Sequence, residues 1–125
     1  MLVGVPTEVK TDEFRVGMRP VGVELLTRDG HTVLVQSGAG LGSGFNDELY
    51  AAAGARVVPT AADVWGGADL IIKVKEPQPA EVQMIRAGQT IFTFFHFAAD
   101  KELTEGCLAR RCTSVAYETL TDEHG

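Results

Sequence analysis

Cysteine, tryptophan and basic residues are all scarce in this sequence, which has two cysteines and one tryptophan in 125 residues. Lysine and arginine total 11 against 17 acidic residues, so the formal net charge is −6. This balance argues against nucleic acid and anionic membranes as partners, because both are bound by clustered basic side chains. It does not exclude an anionic metabolite, since a small cationic pocket can lie within an acidic surface.

The cysteine spacing and the lack of long apolar runs exclude further classes. Cys107 and Cys112 have the spacing of neither a zinc-binding pair nor a CxxC redox pair, so we interpret both as free thiols and predict no metal site. No apolar run approaches the ~20 residues that a membrane-spanning helix needs. The opening segment has strand character and lacks the basic region and apolar core of a signal peptide. These features predict a cytoplasmic protein.

Short apolar, β-branched runs alternate with helical patterns along the chain. Strands are predicted at 2–6, 32–36, 56–58, 69–75, 90–95 and 114–118. Capping residues and apolar periodicity predict helices at 20–28, 46–54, 60–65, 79–86 and 100–111. This alternation predicts one α/β domain over 1–125, Rossmann-like, with a mainly parallel sheet and helices on both faces.

A glycine-rich loop, 37–44, follows a predicted strand and precedes a predicted helix, the setting of a dinucleotide-binding fingerprint. The GxGxxG spacing fails, because its third glycine would fall on Ser43 or, counted from the next glycine, on Phe45. The acidic residue expected at the end of the next strand is also missing, since that strand ends at Val58-Pro59. We therefore predict a turn rather than a cofactor site.

Three polar residues lie near predicted carboxyl ends of strands, where ligands bind in open parallel sheets. Arg15 follows the first strand, Lys75 closes the fourth and His96 follows the fifth. The last two strands are consecutive, so we expect Lys75 and His96 to be neighbours. Two cations and an imidazole suit a small carboxylate whose neighbouring carbon undergoes proton transfer: the cations hold the carboxylate and polarise a carbonyl, and the histidine moves the proton.

Each of these residues also has a purely structural explanation. Arg15 can pair with a carboxylate at the surface, Lys75 can end in solvent, and His96 can be a hydrogen-bonded core residue within its aromatic segment. The two-residue period of a strand places Lys73 on the same face as Lys75, where it either reinforces a positive field or reaches solvent. The residue types alone do not decide between these explanations.

Several separate motifs carry a family resemblance. They are Val3–Lys10, Glu13–Val16, Gly38–Phe45, Lys73–Pro77 and His96–Asp100. In this order and spacing they resemble the N-terminal region of alanine dehydrogenases across essentially all 125 residues. Nicotinamide nucleotide transhydrogenases share the opening segment and the glycine loop, and the last two motifs favour alanine dehydrogenase.

The resemblance implies reversible oxidative deamination of L-alanine to pyruvate and ammonia with NAD. It implies that Arg15 and Lys75 bind the substrate carboxylate and carbonyl, that Lys75 and His96 are catalytic, and that the enzyme is a homohexamer. It also implies that 1–125 is the N-terminal part of the substrate domain, inactive alone, with the NAD-binding domain beyond it. The alternatives are the substrate side of a transhydrogenase or saccharopine-type dehydrogenase, and a non-enzymatic module that binds a small carboxylate.

Overall fold

The computed structural model describes residues 1–95 and 100–116, which form one six-stranded sheet with flanking helices. The strands are β1 Leu2–Val5, β2 Thr32–Gln36, β3 Arg56–Val58, β4 Leu70–Lys75, β5 Thr90–Phe94 and β6 Thr113–Ala116. The helices are α1 Pro20–Arg28, α2 Asp47–Ala52, α3 Ala61–Gly67, α4 Pro79–Val82 and α5 Lys101–Arg110, with a 3-10 turn at Leu41–Ser43.

The strand order is β3-β2-β1-β4-β5-β6, and every neighbouring pair is parallel. The chain builds the sheet outward from β1 to β3 and then crosses back to place β4 on the other side of β1. This reversal of direction opens a crevice between the carboxyl ends of β1 and β4, the place where ligands bind in open α/β sheets.

Each face of the sheet buries its own apolar cluster. The face covered by α1 and α2 buries Val3, Val5, Val23, Val33, Val35 and Tyr50. The face covered by α3 and α5 buries Val64, Trp65, Ile71, Ile91, Phe95 and Leu103. Strands covered on both faces need apolar residues at successive positions, which explains their near-continuous hydrophobic runs. The predicted parallel α/β fold with helices on both faces is confirmed.

The described element boundaries lie within about two residues of prediction except at α4, which ends at Val82 rather than at position 86, and positions 117–118 of the predicted last strand lie outside the described residues. The amide of Arg86 donates to the side chain of Gln89 instead of continuing the helix. The Arg86 and Gln89 side chains both donate to the carbonyl oxygens of Trp65 and Ala68 at the end of α3. These bonds satisfy carbonyls that a helix end leaves without partners, so the segment after Val82 is drawn onto α3.

Candidate functional site

Lys75 stands at the carboxyl end of β4, at the crevice beside β1. It is in register with Phe94 of β5, and its Nζ lies 6.0 Å from the centroid of that ring. Lys75, Phe94, Val74 and Arg15 line one cavity of about 240 Å³. The fold therefore brings together two of the three predicted site residues, although they are distant in sequence.

An irregularity in β4 decides the direction of Lys75. Ile72 is paired with Phe92, whereas Lys75 is paired with Phe94, so β4 contains one more residue than β5 over this stretch. The extra residue is a bulge that places Lys75 on the face of Ile72. The prediction that Lys73 and Lys75 share a face was wrong, because strict two-residue alternation does not allow for a bulge.

Lys73 lies on the opposite face and is almost completely buried. Its Nζ is 2.9 Å from Oε1 of Glu8 and 3.3 Å from Oε2 of Glu81 on α4, and the side chains of Lys73 and Glu8 are 1% exposed. Burial raises the pKa of Glu81, and the nearby Lys73 charge acts against that rise. Lys73 thus neither reaches solvent nor adds to the field at Lys75, because a buried ammonium requires carboxylate partners.

Glu8, just after β1, joins the carboxyl ends of β1 and β4. Its Oε1 accepts a hydrogen bond from the backbone amide of Lys75 at 3.0 Å as well as from Lys73 Nζ at 2.9 Å. Its Oε2 accepts from the amide of Val74 at 3.1 Å. These three bonds fall within the bulged part of β4, so this carboxylate fixes the backbone from which Lys75 projects.

Arg15 is held by a neighbouring carboxylate. Its Nε and Nη2 donate to the two oxygens of Glu13 at 2.9 and 2.7 Å, and its own amide donates to Oε2 at 3.0 Å. These hydrogen bonds lower the pKa of Glu13 to about 2, and the charges of Arg15 and Lys75 act in the same direction. The Arg15 side chain remains 67% exposed, whereas that of Glu13 is only 6% exposed. The ion pair orients the guanidinium while solvent still reaches it.

The glycine-rich loop supports the segment that carries Arg15. A Cβ at Gly42 would lie 2.2 Å from the carbonyl oxygen of Phe14, so only glycine permits this close approach. The hydroxyl of Tyr50 donates to the carbonyl of Met18 at 2.7 Å and tethers the far end of the same segment. The glycine-rich loop therefore packs against and supports the segment that carries Arg15. This is a structural role, as predicted for a turn, and not that of a dinucleotide-binding motif.

The residues of this loop do not fit a dinucleotide pyrophosphate. The amide of Gly38 donates to Oδ1 of Asp47 at 2.8 Å, and the hydroxyl of Ser37 donates to Oδ2 at 2.6 Å. These bonds, led by the one from Gly38, lower the pKa of Asp47. An ionised carboxylate thus occupies the donors that a phosphate would need and repels a second anion.

The predictions about His96, a metal site and a membrane-spanning helix do not bear on the cavity of Arg15 and Lys75. His96 lies outside the described residues, as do 97–99 and 117–125. Within 1–95 and 100–116, no group of three or more His, Cys, Asp or Glu side chains could hold a metal ion. Over the same residues, no helix has the length and apolar character required to cross a membrane.

Comparison with known proteins identifies the family. The family described as "Alanine dehydrogenase/PNT, N-terminal domain" matches residues 4–125. The chain belongs to this family. It is 51% identical to the alanine dehydrogenase of Mycolicibacterium smegmatis and 52% identical to that of Mycobacterium tuberculosis, in each case over all 125 residues, which are 34% of the relative's length. The chain therefore spans about a third of the curated relatives that it matches.

Solved structures of this alanine dehydrogenase/PNT family agree with the fold. An L-alanine dehydrogenase superposes with a TM-score of 0.97 at 46% identity, covering 99% of this chain and 34% of the other. A transhydrogenase from Sinorhizobium meliloti superposes with a TM-score of 0.92 at 31% identity, covering 99% of this chain and 35% of the other. The resemblance expected from the motifs is confirmed, and the alanine dehydrogenase is the more similar of these two structures in both sequence and fold.

Glu8 and Glu13 also shape the candidate site, although neither was predicted from the sequence as a site residue. The sequence does contain an indication of the role of Glu8. Lys73 interrupts an apolar strand, and a lysine in such a strand requires a buried carboxylate nearby. An acidic residue just after the adjacent strand β1 was the natural partner. The pairing of Arg15 with a surface carboxylate was expected without a named partner, and nothing in the sequence indicates that the partner is Glu13 or that its carboxylate is buried.

Proposed function

We propose that this chain supplies the substrate side of an NAD-dependent L-alanine dehydrogenase, which converts L-alanine, NAD and water reversibly into pyruvate, ammonia and NADH. The observation that carries this proposal is the shared cavity of Arg15 and Lys75 at the crevice between β1 and β4. The alanine dehydrogenase names of the relatives supply the reaction.

The charges around this cavity suit a small monocarboxylate. The two cations and the Glu13 carboxylate leave one excess positive charge, which one carboxylate neutralises. Glu13 accepts from Nε and Nη2 of Arg15 and thereby fixes the plane of the guanidinium, so a substrate carboxylate would be bound by the remaining Nη donors. The Lys75 ammonium is a compact donor that can polarise the adjacent carbonyl oxygen of pyruvate. The cavity of about 240 Å³ admits a three-carbon acid.

His96 completes the proposal as the group that moves a proton at the substrate. It follows Phe95 directly in sequence, and β5, which ends at Phe94, is paired with the Lys75 strand. An imidazole titrates near neutral pH, which suits a general acid or base. This role and its position beside Lys75 stay predictions.

The same proposal covers the cofactor, the assembly and the domain assignment. NAD, which accepts the hydride when bound, is held by segments outside this chain, because Asp47 occupies the phosphate donors of the glycine loop. Residues 1–125 form the N-terminal part of the substrate domain, in keeping with their share of the relatives' length. The family resemblance adds a homohexamer, and the cytoplasmic location expected from the sequence features is part of the same proposal.

Steady-state kinetics of reductive amination by the full-length protein test the proposal with matched controls. Lys75→Ala and Arg15→Ala should each raise the KM for pyruvate about 10- to 100-fold, because each removes a charge-assisted hydrogen bond. Lys101→Ala and Arg28→Ala should change it little, since these residues form exposed ion pairs with Glu105 and Glu24. The proposal fails if the site variants and their controls behave alike.

A transhydrogenase is the second candidate, because a transhydrogenase structure superposes closely on this chain. The two candidates differ in their need for a carboxylate substrate. A transhydrogenase would transfer hydride between two nicotinamide nucleotides without pyruvate, and its rate would not depend on Lys75. Oxidation of NADH that requires both pyruvate and ammonia, with a raised KM for pyruvate in Lys75→Ala, therefore supports the dehydrogenase and excludes the transhydrogenase.

A further inference from the structure

We propose that Glu8 is a positioning residue for substrate binding, because its carboxylate fixes the bulge that points Lys75 toward Arg15. This inference rests on the proposed function of Lys75 as a carboxylate-binding residue. Glu8 does not line the cavity that Arg15 and Lys75 share. It does line a neighbouring cavity of about 310 Å³ with Arg15 and Glu13, but both of its oxygens are bonded to β4, so we assign it an action through the backbone of β4.

The geometry of Glu8 is that of a clamp on the bulged end of β4. The amides of Val74 and Lys75 are successive donors, and each donates to a different oxygen of the same carboxylate. A regular parallel strand directs successive amides to opposite sides, so one carboxylate cannot normally accept both. Accepting both stabilises the extra residue between Ile72 and Lys75, and that extra residue determines the face on which Lys75 lies.

The burial of Glu8 makes the clamp rigid. Its side chain is 1% exposed, so water does not compete strongly for its oxygens. The Lys73 ammonium, on the face of β4 opposite Lys75, compensates the negative charge of Glu8 and also contacts Glu81. The two lysines of β4 thus have separate tasks: Lys73 balances the buried charge of Glu8, and Lys75 projects into the cavity.

Glu8→Gln and Glu81→Gln in the full-length protein separate positioning from simple charge balance. In Glu8→Gln an amide group replaces one oxygen and faces a donor, so at least one of the bonds to Lys73, Val74 or Lys75 is lost. Glu81→Gln removes a carboxylate from the same lysine but leaves the β4 amides bonded to Glu8. We expect the KM for pyruvate to rise about tenfold or more in Glu8→Gln, with a smaller change in kcat, and to stay within about twofold in Glu81→Gln.

A second variant and a structural measurement guard against misfolding. Glu8→Asp keeps the charge beside Lys73 but withdraws the carboxylate from the β4 amides, and it should also raise the KM for pyruvate. Amide hydrogen exchange at Val74 and Lys75 should become faster in both Glu8 variants and not in Glu81→Gln. Equal effects of Glu8→Gln and Glu81→Gln on KM and on exchange would overturn the inference. A wild-type enzyme that does not use pyruvate would instead overturn the proposed function, and the exchange measurement would still decide whether Glu8 holds β4.

Discussion

Removal of the Lys73 charge tests the buried ion cluster at the candidate site. Lys73→Met keeps the length and apolar part of the side chain but leaves the carboxylates of Glu8 and Glu81 without their shared cation. Breaking a buried ion pair by removing one partner costs about 3–5 kcal/mol, a large part of the ~5–15 kcal/mol that stabilises a typical domain. For a domain of this size the loss corresponds to a melting temperature about 10–20 °C lower.

The destabilisation by Lys73→Met should depend on pH in a defined direction. Burial raises the pKa of Glu81, and loss of the lysine removes an opposing influence. A carboxyl group whose pKa is raised on folding destabilises the protein above that pKa and ceases to do so as pH falls through it. The difference between variant and wild type should therefore be largest near neutral pH and shrink on acidification.

Urea denaturation of the 125-residue chain measures both effects, with fluorescence of the single, fully buried Trp65 as the probe. The matched control is Lys101→Met, whose side chain is 88% exposed and whose contact with Glu105 is a surface ion pair. That control should change the free energy of unfolding by less than about 1 kcal/mol. A similarly small change in Lys73→Met, or one independent of pH, would refute the account of a buried charge cluster.

Three further predictions follow from other contacts. Gly42→Ala should weaken pyruvate binding about tenfold or more, because its Cβ would displace the Phe14 carbonyl and the Arg15 segment. The control Gly66→Ala, whose Cβ would meet open space, should be neutral or stabilise the fold by about 0.5–1 kcal/mol. Pyruvate titration and melting curves measure these effects. The pKa of Glu13 is lowered to about 2, so its ion pair with Arg15 stabilises the fold fully above the unfolded pKa near 4.5, and this stabilisation is lost as pH falls toward 2. Glu13→Gln should remove about 1 kcal/mol of this acid-dependent stability in denaturation curves. The 125-residue chain alone should form no NADH from L-alanine and NAD, because hydride transfer needs a nicotinamide held at about 3–3.5 Å from the substrate carbon; reproducible turnover by the purified chain would contradict this.

The order of elements could be predicted from the sequence because local signals mark most of the boundaries. Pro20 begins α1 and Arg28 ends it, as expected from the proline and the following glycine. The capping box of Thr60 and Asp63 begins α3. These signals depend on neighbours in sequence, and the parallel arrangement follows from the alternation of strands and helices.

Features that depend on distant residues could not be predicted in this way. The early end of α4 follows from bonds between Gln89 and the end of α3. The bulge in β4 is held by Glu8, which lies far away in sequence. Strand-end position was sufficient to propose that Arg15 and Lys75 meet, but the carboxylates that orient them required the fold.

A crystal structure of the full-length protein with pyruvate tests the central claim most directly. We predict that the pyruvate carboxylate lies in the crevice between β1 and β4, within hydrogen-bonding distance of the Arg15 guanidinium or the Lys75 ammonium, with Glu13 still bound to Arg15. Pyruvate bound away from this crevice, with neither Arg15 nor Lys75 in contact with it, would contradict the account.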